Sequence, residues 1–303
     1  MKKSFFKNFA TSGGMIDRPS PAGRVFDIIL NLIVLALALV CILPMWHVLM
    51  SSFSDGFSLL SHDGLVLLPV GKPTLDGYKL IFKDSSVISG YMNTIFYVVC
   101  TVGLGFVLNV LGGYVISRES KLQKFFSVFL MFPLMFSGGM IPTYMVMNQL
   151  GLVGSRWVIV FLEATMSMYI ITSSIAFRSV PQSTVEAAVL DGAGHLTLMF
   201  RVMFPQCVGL FTVSILQTFV GSWNSWLTAS IYVAGDRSKW PLQLIINEIV
   251  TQNSNFLNTA NPNYSRYLIQ FSVIVAATAP ILIAFPFFQK KLEAGVITGA
   301  VKE

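Results

Sequence analysis

Charged side chains are scarce in this chain of 303 residues, since Asp, Glu, Lys and Arg make up only 11% of it. A soluble domain carries about 25% charged residues, so burial in a soluble core explains the deficit poorly. Five stretches contain no charged residue, namely 28–54, 85–117, 125–155, 202–235 and 267–289, and a sixth, 157–177, contains only Glu163. Because a membrane-spanning helix needs about 20 mostly apolar residues, the sequence predicts an integral membrane protein with six spans.

Other features are also missing, and each absence removes a class of protein. The only three cysteines, Cys41, Cys100 and Cys207, fall in or beside predicted spans, which is typical of small buried residues and not of a disulfide framework or metal site. The G-x-x-x-x-G-K-[ST] pattern of a P-loop is absent, so any ATP used must be bound and hydrolysed by another subunit. The basic residues form no cluster that would indicate a nucleic-acid partner. The first apolar run is too long for a signal peptide and lacks an A-x-A-like site, so it predicts an uncleaved span.

The apolar runs have the length of helices and not of barrel strands, which are alternating segments of about 10 residues. Backbone groups in lipid must be satisfied within each segment, so we predict an all-α protein. The predicted membrane domain covers 25–288, between tails at 1–24 and 289–303. Its spans lie near 25–50, 88–117, 122–147, 157–177, 208–233 and 267–288.

The distribution of Lys and Arg predicts the orientation of the chain. With the N-terminus inside, thirteen basic residues lie on the cytoplasmic side and seven on the other. The positive-inside rule therefore places both termini in the cytoplasm. The segment 234–266 is then external, and Pro241 predicts a short helix over 242–250. That helix is either a lid over the bundle or a contact for a partner or incoming substrate.

Glycine and proline interrupt the third predicted span at Pro133, Gly138, Gly139 and Pro142. These residues break the hydrogen-bond ladder of a helix, which membranes tolerate where protein or a cavity satisfies the freed groups. The pattern predicts a kink, and it leaves open whether the kink lines a pathway.

A polar segment, "VEAAVLDGAGHLTLMFRVMFPQ" at 185–206, separates two of the apolar spans on the cytoplasmic side. Ser183 and Glu186 have the spacing of a capping box, in which the serine caps the helix and the glutamate returns to the cap's amide. We expect a helix over 184–191, ended by Gly192 and Gly194. A second helix should carry an apolar stripe of Leu196, Met199, Phe200 and Met203 and stop at Pro205. The hairpin is either a simple connection, with Glu186 only a cap, or a docking site for a partner.

The segment resembles the EAA loop of inner-membrane permease subunits from binding-protein-dependent ABC importers. That pattern reads E-A-A, three residues, Gly, nine residues and I-x-L-P. Glu186, Ala187, Ala188, Gly192 and Pro205 match it in register, while Val202 and Phe204 replace Ile and Leu. Asp191-Gly192-Ala193 is similar to the D-G-A of the carbohydrate branch. The tail "FPFFQKKLEAGVITGAVKE" is similar to that of maltose-type permeases, apart from Glu303 in place of Gly, and "GGMIPTYMVMNQLGLVGS" and "WNSWLTASIYV" resemble importers of complex oligosaccharides.

The resemblance implies the fold of a type I importer permease and a division of labour between subunits. The EAA segment would be a coupling helix that seats on one of two separate ATPase subunits, which bind the ATP. A second, similar permease would complete the pore, and an external sugar-binding protein would deliver the solute. The docking residues carried over are Glu186, Ala187, Ala188, Asp191, Gly192, Ala193, Gly194, Phe204 and Pro205.

Polar and aromatic residues within the spans are candidates for the solute path. Sugars need hydrogen-bonding groups and flat apolar faces, which predicts Asn93, Asn109, Gln217, Trp223, Asn224 and Trp226. Trp223 and Trp226 are three residues apart and are expected on one helix face, although tryptophan also anchors spans at the lipid interface. Glu163 is the one acidic residue well inside a span. An intramembrane carboxyl indicates function, so the alternative is an ion-coupled secondary transporter that uses Glu163.

Overall fold

The computed structural model describes residues 21–118, 121–251 and 266–300. The regular structure in these ranges is helical throughout. The α-helices in chain order are α1 (Pro21–Ser52), α2 (Gly56–Leu60), α3 (Asp76–Lys83), α4 (Ser85–Ser117), α5 (Lys121–Met135), α6 (Met140–Gln149), α7 (Arg156–Ala164), α8 (Ser167–Arg178), α9 (Gln182–Leu190), α10 (His195–Thr197), α11 (Phe204–Gln206), α12 (Val208–Trp223), α13 (Leu227–Tyr232), α14 (Leu242–Thr251) and α15 (Arg266–Ala300). A π-helical turn, Leu198–Met203, joins α10 to α11, and a 3₁₀ turn, Arg237–Lys239, precedes α14. Most of the predicted N-terminal tail, residues 1–20, lies outside the described residues.

The prediction of an all-helical membrane protein is confirmed, but only three of the predicted spans are single helices. Within the described ranges, Val25–Ser52, Ser85–Ser117 and Tyr267–Gln289 are each long and apolar enough to cross a membrane. The fourth predicted span is the pair of helices α7 and α8, which are bent by 40°. The fifth is divided into α12 and α13, and an 85° bend between α11 and α12 precedes it. The third is divided into α5 and α6. Half of the predicted spans are therefore broken helices.

The break in the third predicted span lies where glycine and proline predict it. Pro133 is inside α5, and Phe136 N–H closes the last turn on Phe132 O at 2.9 Å. Gly139 then has φ of +82° and precedes α6, a conformation that favours glycine because it has no Cβ. The expected kink is thus a full interruption of the helix.

Helix α4 is the centre of the bundle and packs against α7, α8, α12 and α14. Its contact with α8 is close because Gly112 and Gly113 have no side chain. A Cβ added at Gly113 would lie 2.6 Å from the Cβ of Ser173 and 2.9 Å from its backbone carbon. Small residues allow membrane helices to approach in this way, where packing contacts drive association.

Helix α15 contains Pro280, and two side chains bind the carbonyl oxygens near it. Proline has no N–H, so the carbonyl four residues earlier, that of Ala276, loses its helical partner. Tyr91 Oη donates to Ala276 O at 2.7 Å, and Trp223 Nε1 donates to Ala277 O at 3.1 Å. These bonds attach α4 and α12 to α15 and satisfy backbone groups that lipid would leave unpaired.

The predicted helix after Pro241 is present as α14, and it covers one end of the bundle. Leu242, Ile245 and Ile249 are buried in a cluster with residues of α3, α4 and α15. The N-terminal turns of α4 hold the segment that precedes α14: Tyr97 Oη donates to Lys239 O at 2.7 Å, and Leu242 N donates to Thr94 Oγ1 at 2.8 Å. Asp236 caps the 3₁₀ turn, and hydrogen bonds from Ser238 and Lys239 lower the pKa of its carboxyl to about 2.

We predict that Gly113→Ala destabilises the protein while Gly103→Ala does not. The new methyl group at position 113 meets the backbone of α8, so the two helices must separate, at a cost of about 1–3 kcal/mol. A methyl group at Gly103, on the same helix, meets nothing within 4 Å, so this variant should be neutral or slightly stabilised. Thermal unfolding of the purified protein in detergent tests the difference. Equal melting temperatures would contradict the close contact.

Candidate functional site

The polar hairpin, residues 182–206, begins directly after a proline. Helix α9 starts at Gln182, its N-cap is Pro181, and no side chain caps it. The predicted capping box is therefore wrong. Proline fixes its own φ angle at the residue where the chain enters the helix, so α9 starts earlier than predicted. Ser183 then lies inside the first turn. The Glu186 carboxylate instead accepts a hydrogen bond from Gln182 Nε2 at 3.1 Å.

Gly192 ends α9 as predicted, with φ of +83°. Gly192 N donates to Val189 O at 3.0 Å and Ala193 N to Ala188 O at 2.9 Å, the pair of bonds that defines a Schellman motif. Gly194 has an ordinary φ of −72°, so only the first glycine is required by its backbone conformation. The turn fixes the direction of the second arm.

The second arm is α10, the π-helical turn and α11, and it differs from the prediction in phase and length. Pro205 stands in the first turn of α11, where its missing N–H is tolerated, and the helix ends one residue later. Because a π-helical turn holds more residues than an α-helical one, the apolar stripe is displaced. Leu198, Met199 and Met203 are buried, whereas Leu196 and Phe200 are exposed.

One side-chain hydrogen bond binds the hairpin to the end of α4 opposite α14, and a second binds α8, the helix before the hairpin, to the same end. The Tyr114 hydroxyl and His195 Nδ1 share a hydrogen bond of 2.9 Å. Arg178, at the end of α8, donates from Nη2 to Ile116 O at 3.0 Å. From Thr94 to Tyr114 a helix rises about 30 Å at 1.5 Å per residue, so α4 links α14 at one end of the bundle to the hairpin at the other.

The hairpin's tip exposes apolar side chains. Leu190 is 88% exposed and Leu196 is 68% exposed, beside the exposed Val189.

Most of the predicted docking residues are exposed, namely Glu186, Ala187, Asp191, Gly192, Gly194 and Pro205, while Ala188 and Ala193 are half-buried. Phe204 is placed differently, because its ring packs inward against Phe106 and Phe211 at centroid distances of 5.8 and 5.1 Å. The sequence reasoning missed Leu190, whose only signal was an apolar residue just before the helix-ending Asp191-Gly192.

A cavity of about 250 Å³ lies at the break between α7 and α8, against the end of α12. Its lining is Glu163, Met166, Tyr169, Gln217, Thr218, Gly221, Ser222, Asn224, Ser225, Trp226, Leu227 and Thr228. Three of the predicted path residues, Gln217, Asn224 and Trp226, are thus brought together with Glu163. The Glu163 carboxylate accepts a hydrogen bond from Ser225, a residue that follows the end of α12.

The other predicted path residues do not line this cavity. Trp223 is buried, and Trp226 lies beyond the end of α12, so the expectation that they share a helix face is wrong: the chain leaves the helix at Asn224. Asn93 supports the α14 end, donating from Nδ2 to Ser238 O at 2.8 Å and Trp240 O at 3.0 Å. Asn109 is buried in α4. Across the described ranges, no group of three or more His, Cys, Asp or Glu is placed to hold a metal ion.

Residues 102–298, well over half of the chain, match the family model described as "Binding-protein-dependent transport system inner membrane component". The chain belongs to this family. It is 31% identical to the polygalacturonan/rhamnogalacturonan transport system permease protein YtcP of Bacillus subtilis, over 92% of this chain and 99% of that protein. It is 25% identical to the maltodextrin transport system permease protein MalD of Streptococcus pneumoniae, over 92% of this chain and 96% of that one.

A solved structure has the same fold. The crystal structure of a bacterial ABC transporter involved in the import of the acidic polysaccharide alginate superposes with a TM-score of 0.83 and 27% identity, over 91% of this chain and 99% of that one. The protein is thus an inner-membrane permease of a binding-protein-dependent ABC importer, with a type I permease fold. It is a transport component and not an enzyme. Nothing in these comparisons favours the ion-coupled alternative.

We predict that Gly192→Ala weakens the hairpin and that Gly194→Ala does not. Alanine at positive φ costs about 1 kcal/mol, and the strain falls on the turn that directs the second arm. Gly194 has an ordinary backbone and open space around it, which makes it the matched control. Hydrogen exchange of the 188–198 amides should become faster only in Gly192→Ala. Unchanged exchange in both variants would contradict the assigned role of the turn.

Proposed function

We propose that this permease imports sugars or oligosaccharides, forms half of the translocation path, and is driven by two separate ATPase subunits that bind the ATP. A second, similar permease completes the path, and an extracytoplasmic sugar-binding protein delivers the solute. The observation that carries the proposal is the hairpin, which presents an apolar tip at one end of the bundle and is bonded from His195 to Tyr114 of the helix that reaches the other end.

The exposed leucines support docking of an ATPase at the hairpin. Leu190 and Leu196 lie on a segment with exposed Glu186 and Asp191, and an exposed apolar patch rimmed by polar groups marks an interaction site. The small Ala187 and Gly194 beside them permit close approach of a partner's surface. Glu186 is then both a helix-stabilising residue, through Gln182, and a contact.

The charge distribution supports a cytoplasmic position for the hairpin and for both terminal tails. Thirteen of the twenty Lys and Arg residues lie on the hairpin's side of the predicted topology, as the positive-inside rule requires. The α14 end then faces outward, where it would meet the binding protein. The membrane is the bacterial cytoplasmic membrane, which the chain crosses with the six predicted segments of residues 25–288.

The cavity supports a solute path shared between two permeases. Its volume of about 250 Å³ is below the roughly 300–1,000 Å³ of pockets that enclose whole ligands, so it holds one part of an oligosaccharide. The Trp226 ring offers an apolar face, and the Gln217 and Asn224 amides offer donors and acceptors for hydroxyl groups. Relatives named for polygalacturonan, rhamnogalacturonan and maltodextrin agree with a carbohydrate solute.

We predict that Leu190→Asp prevents the ATPase subunits from copurifying with the permease. A buried aspartate without a partner loses its hydration and weakens the interface by several kcal/mol, whereas the isolated hairpin tolerates it because the side chain is 88% exposed. Leu68→Asp is the control, since Leu68 is 75% exposed in the predicted external segment. Copurification that is equal for both variants would contradict docking at the hairpin's tip.

Filling the cavity should stop transport without unfolding the protein. A Cβ at Gly221 meets nothing within 4 Å and the residue lines the cavity, so Gly221→Leu places its side chain in the proposed path. Gly103→Leu, also open on its helix, is the control. ATP-dependent sugar uptake by proteoliposomes that contain the whole importer should fall at least about tenfold in the first variant only, since displaced contacts to the solute are lost. Normal uptake by Gly221→Leu would remove this cavity from the path.

A further inference from the structure

The Glu163 carboxyl is only partly satisfied in the cavity wall. One oxygen accepts from Ser225, and the other, Oε2, is enclosed without a hydrogen-bond partner. The Ser222 hydroxyl lies beside the carboxyl, but it has no partner at hydrogen-bond geometry either. A polar group left unpaired at the depth of a membrane is costly, and such groups are characteristic of solute paths.

The cavity contains no basic residue to balance this carboxyl or a charged solute. None of its twelve lining residues is Lys or Arg. The nearest basic residue along the same helix is Arg156, seven residues earlier and about 10 Å away by helical rise. Its guanidinium is already engaged, since Nη2 donates to Ser238 O at 3.2 Å and the group lies over the Phe96 ring at 5.9 Å.

The remaining polar groups of the lining suit neutral hydroxyls. The Gln217 and Asn224 amides are exposed, and among the described residues neither side chain has a hydrogen-bond partner. Each amide both donates and accepts, as a sugar hydroxyl does. Tyr169 and Trp226 add aromatic surface. The lining therefore combines uncharged hydrogen-bonding groups with one carboxyl.

We propose that this cavity selects uncharged sugar units and excludes carboxylated ones, with Glu163 as the specificity-determining residue. The inference rests on the proposed function and defines its substrate class. A uronate that enters would lose its hydration and meet a carboxyl in place of a cation, and a buried charge without an opposite charge is strongly disfavoured. A neutral hydroxyl meets partners in the exposed Gln217 and Asn224 amides and adds no charge beside Glu163. The acidic cargo named for the YtcP and alginate systems is thus not the cargo of this cavity.

Direct binding to the membrane complex tests the proposal without the selectivity of the binding protein. The permease, assembled with its second permease and ATPase subunits in nanodiscs, is titrated with tritiated α-1,4-galactobiose and α-1,4-digalacturonate, and with cellobiose and its diuronate. The wild type should bind the neutral member of a pair about tenfold more tightly or better, because like charges placed together oppose binding. Glu163→Gln, which keeps the shape and removes the acid, should reduce that ratio.

A variant that adds a cation gives an independent result. Gln217→Arg places a guanidinium at an exposed lining position and should raise the affinity for digalacturonate about tenfold. Gln149→Arg, the same substitution at the exposed end of α6, should leave both affinities unchanged. If Glu163→Gln fails to assemble, the wild-type ratio together with its response to Gln217→Arg decides whether the cavity selects by charge.

The outcomes separate this inference from the proposed function. Equal binding of the neutral and acidic disaccharides, or a ratio that no cavity variant changes, overturns the selection by Glu163, while ATP-dependent uptake of sugars by the same importer would leave the proposed function intact. Binding of neither disaccharide overturns the sugar site in this cavity. Absence of ATP-dependent uptake of any sugar, with the binding protein present, refutes both.

Discussion

The close packing of α4 on α8 is the contact on which the rest of the bundle depends. Gly112 and Gly113 bring the two backbones together, and α4 then has faces left for α7, α12 and α14. Its N-terminal turns hold the segment before α14 through Tyr97 and Thr94, and its C-terminal end holds the hairpin through Tyr114. A change in the separation of α4 and α8 would therefore alter both ends of the permease.

The broken helices obey a second constraint, that backbone groups away from water need a partner. Thr165 Oγ1 donates to Phe161 O at 2.7 Å where α7 meets α8. The Tyr91 hydroxyl donates to Ala276 O, the carbonyl that Pro280 leaves without a helical partner. The chain also leaves helical geometry next to the cavity, at Asn224. Irregular backbone at membrane depth occurs where it lines a cavity or is covered by protein, which associates the break between α7 and α8 and the end of α12 with the cavity.

Much of the fold could be predicted because its signals are local. Runs without charge predicted the long apolar helices, Gly139 and Pro133 predicted the break in the third predicted span, and Gly192 predicted the end of α9. The predicted capping box is absent because Pro181 already fixes where α9 starts. The S-x-x-E spacing takes no account of that proline. The apolar stripe of the second arm was predicted at the wrong positions because no residue pattern marks a π-helical turn. Such a turn rotates every later residue around the helix axis relative to an α-helix.

The candidate site was less accessible to sequence reasoning because tertiary contacts determine it. Glu163 and Ser225 are far apart in the chain and meet only in the folded bundle. Trp223 and Trp226 have helical spacing, but the helix ends between them at a position with neither Gly nor Pro. Asn93 was predicted in the path as a polar residue in a span, yet its amide bonds to carbonyls near α14. Exposure of Leu190 depends on which face α9 buries.

The 85° bend at Cys207 has a mechanical consequence. In sequence the hairpin leads straight into α12, but the bend and the π-helical turn interrupt the rigid connection, since neither continues the α-helical ladder. The hydrogen bond of the hairpin's His195 runs to α4 instead, and its Phe204 packs on Phe211 of α12. A displacement of the hairpin would therefore reach both helices through side-chain contacts and not along one continuous helix.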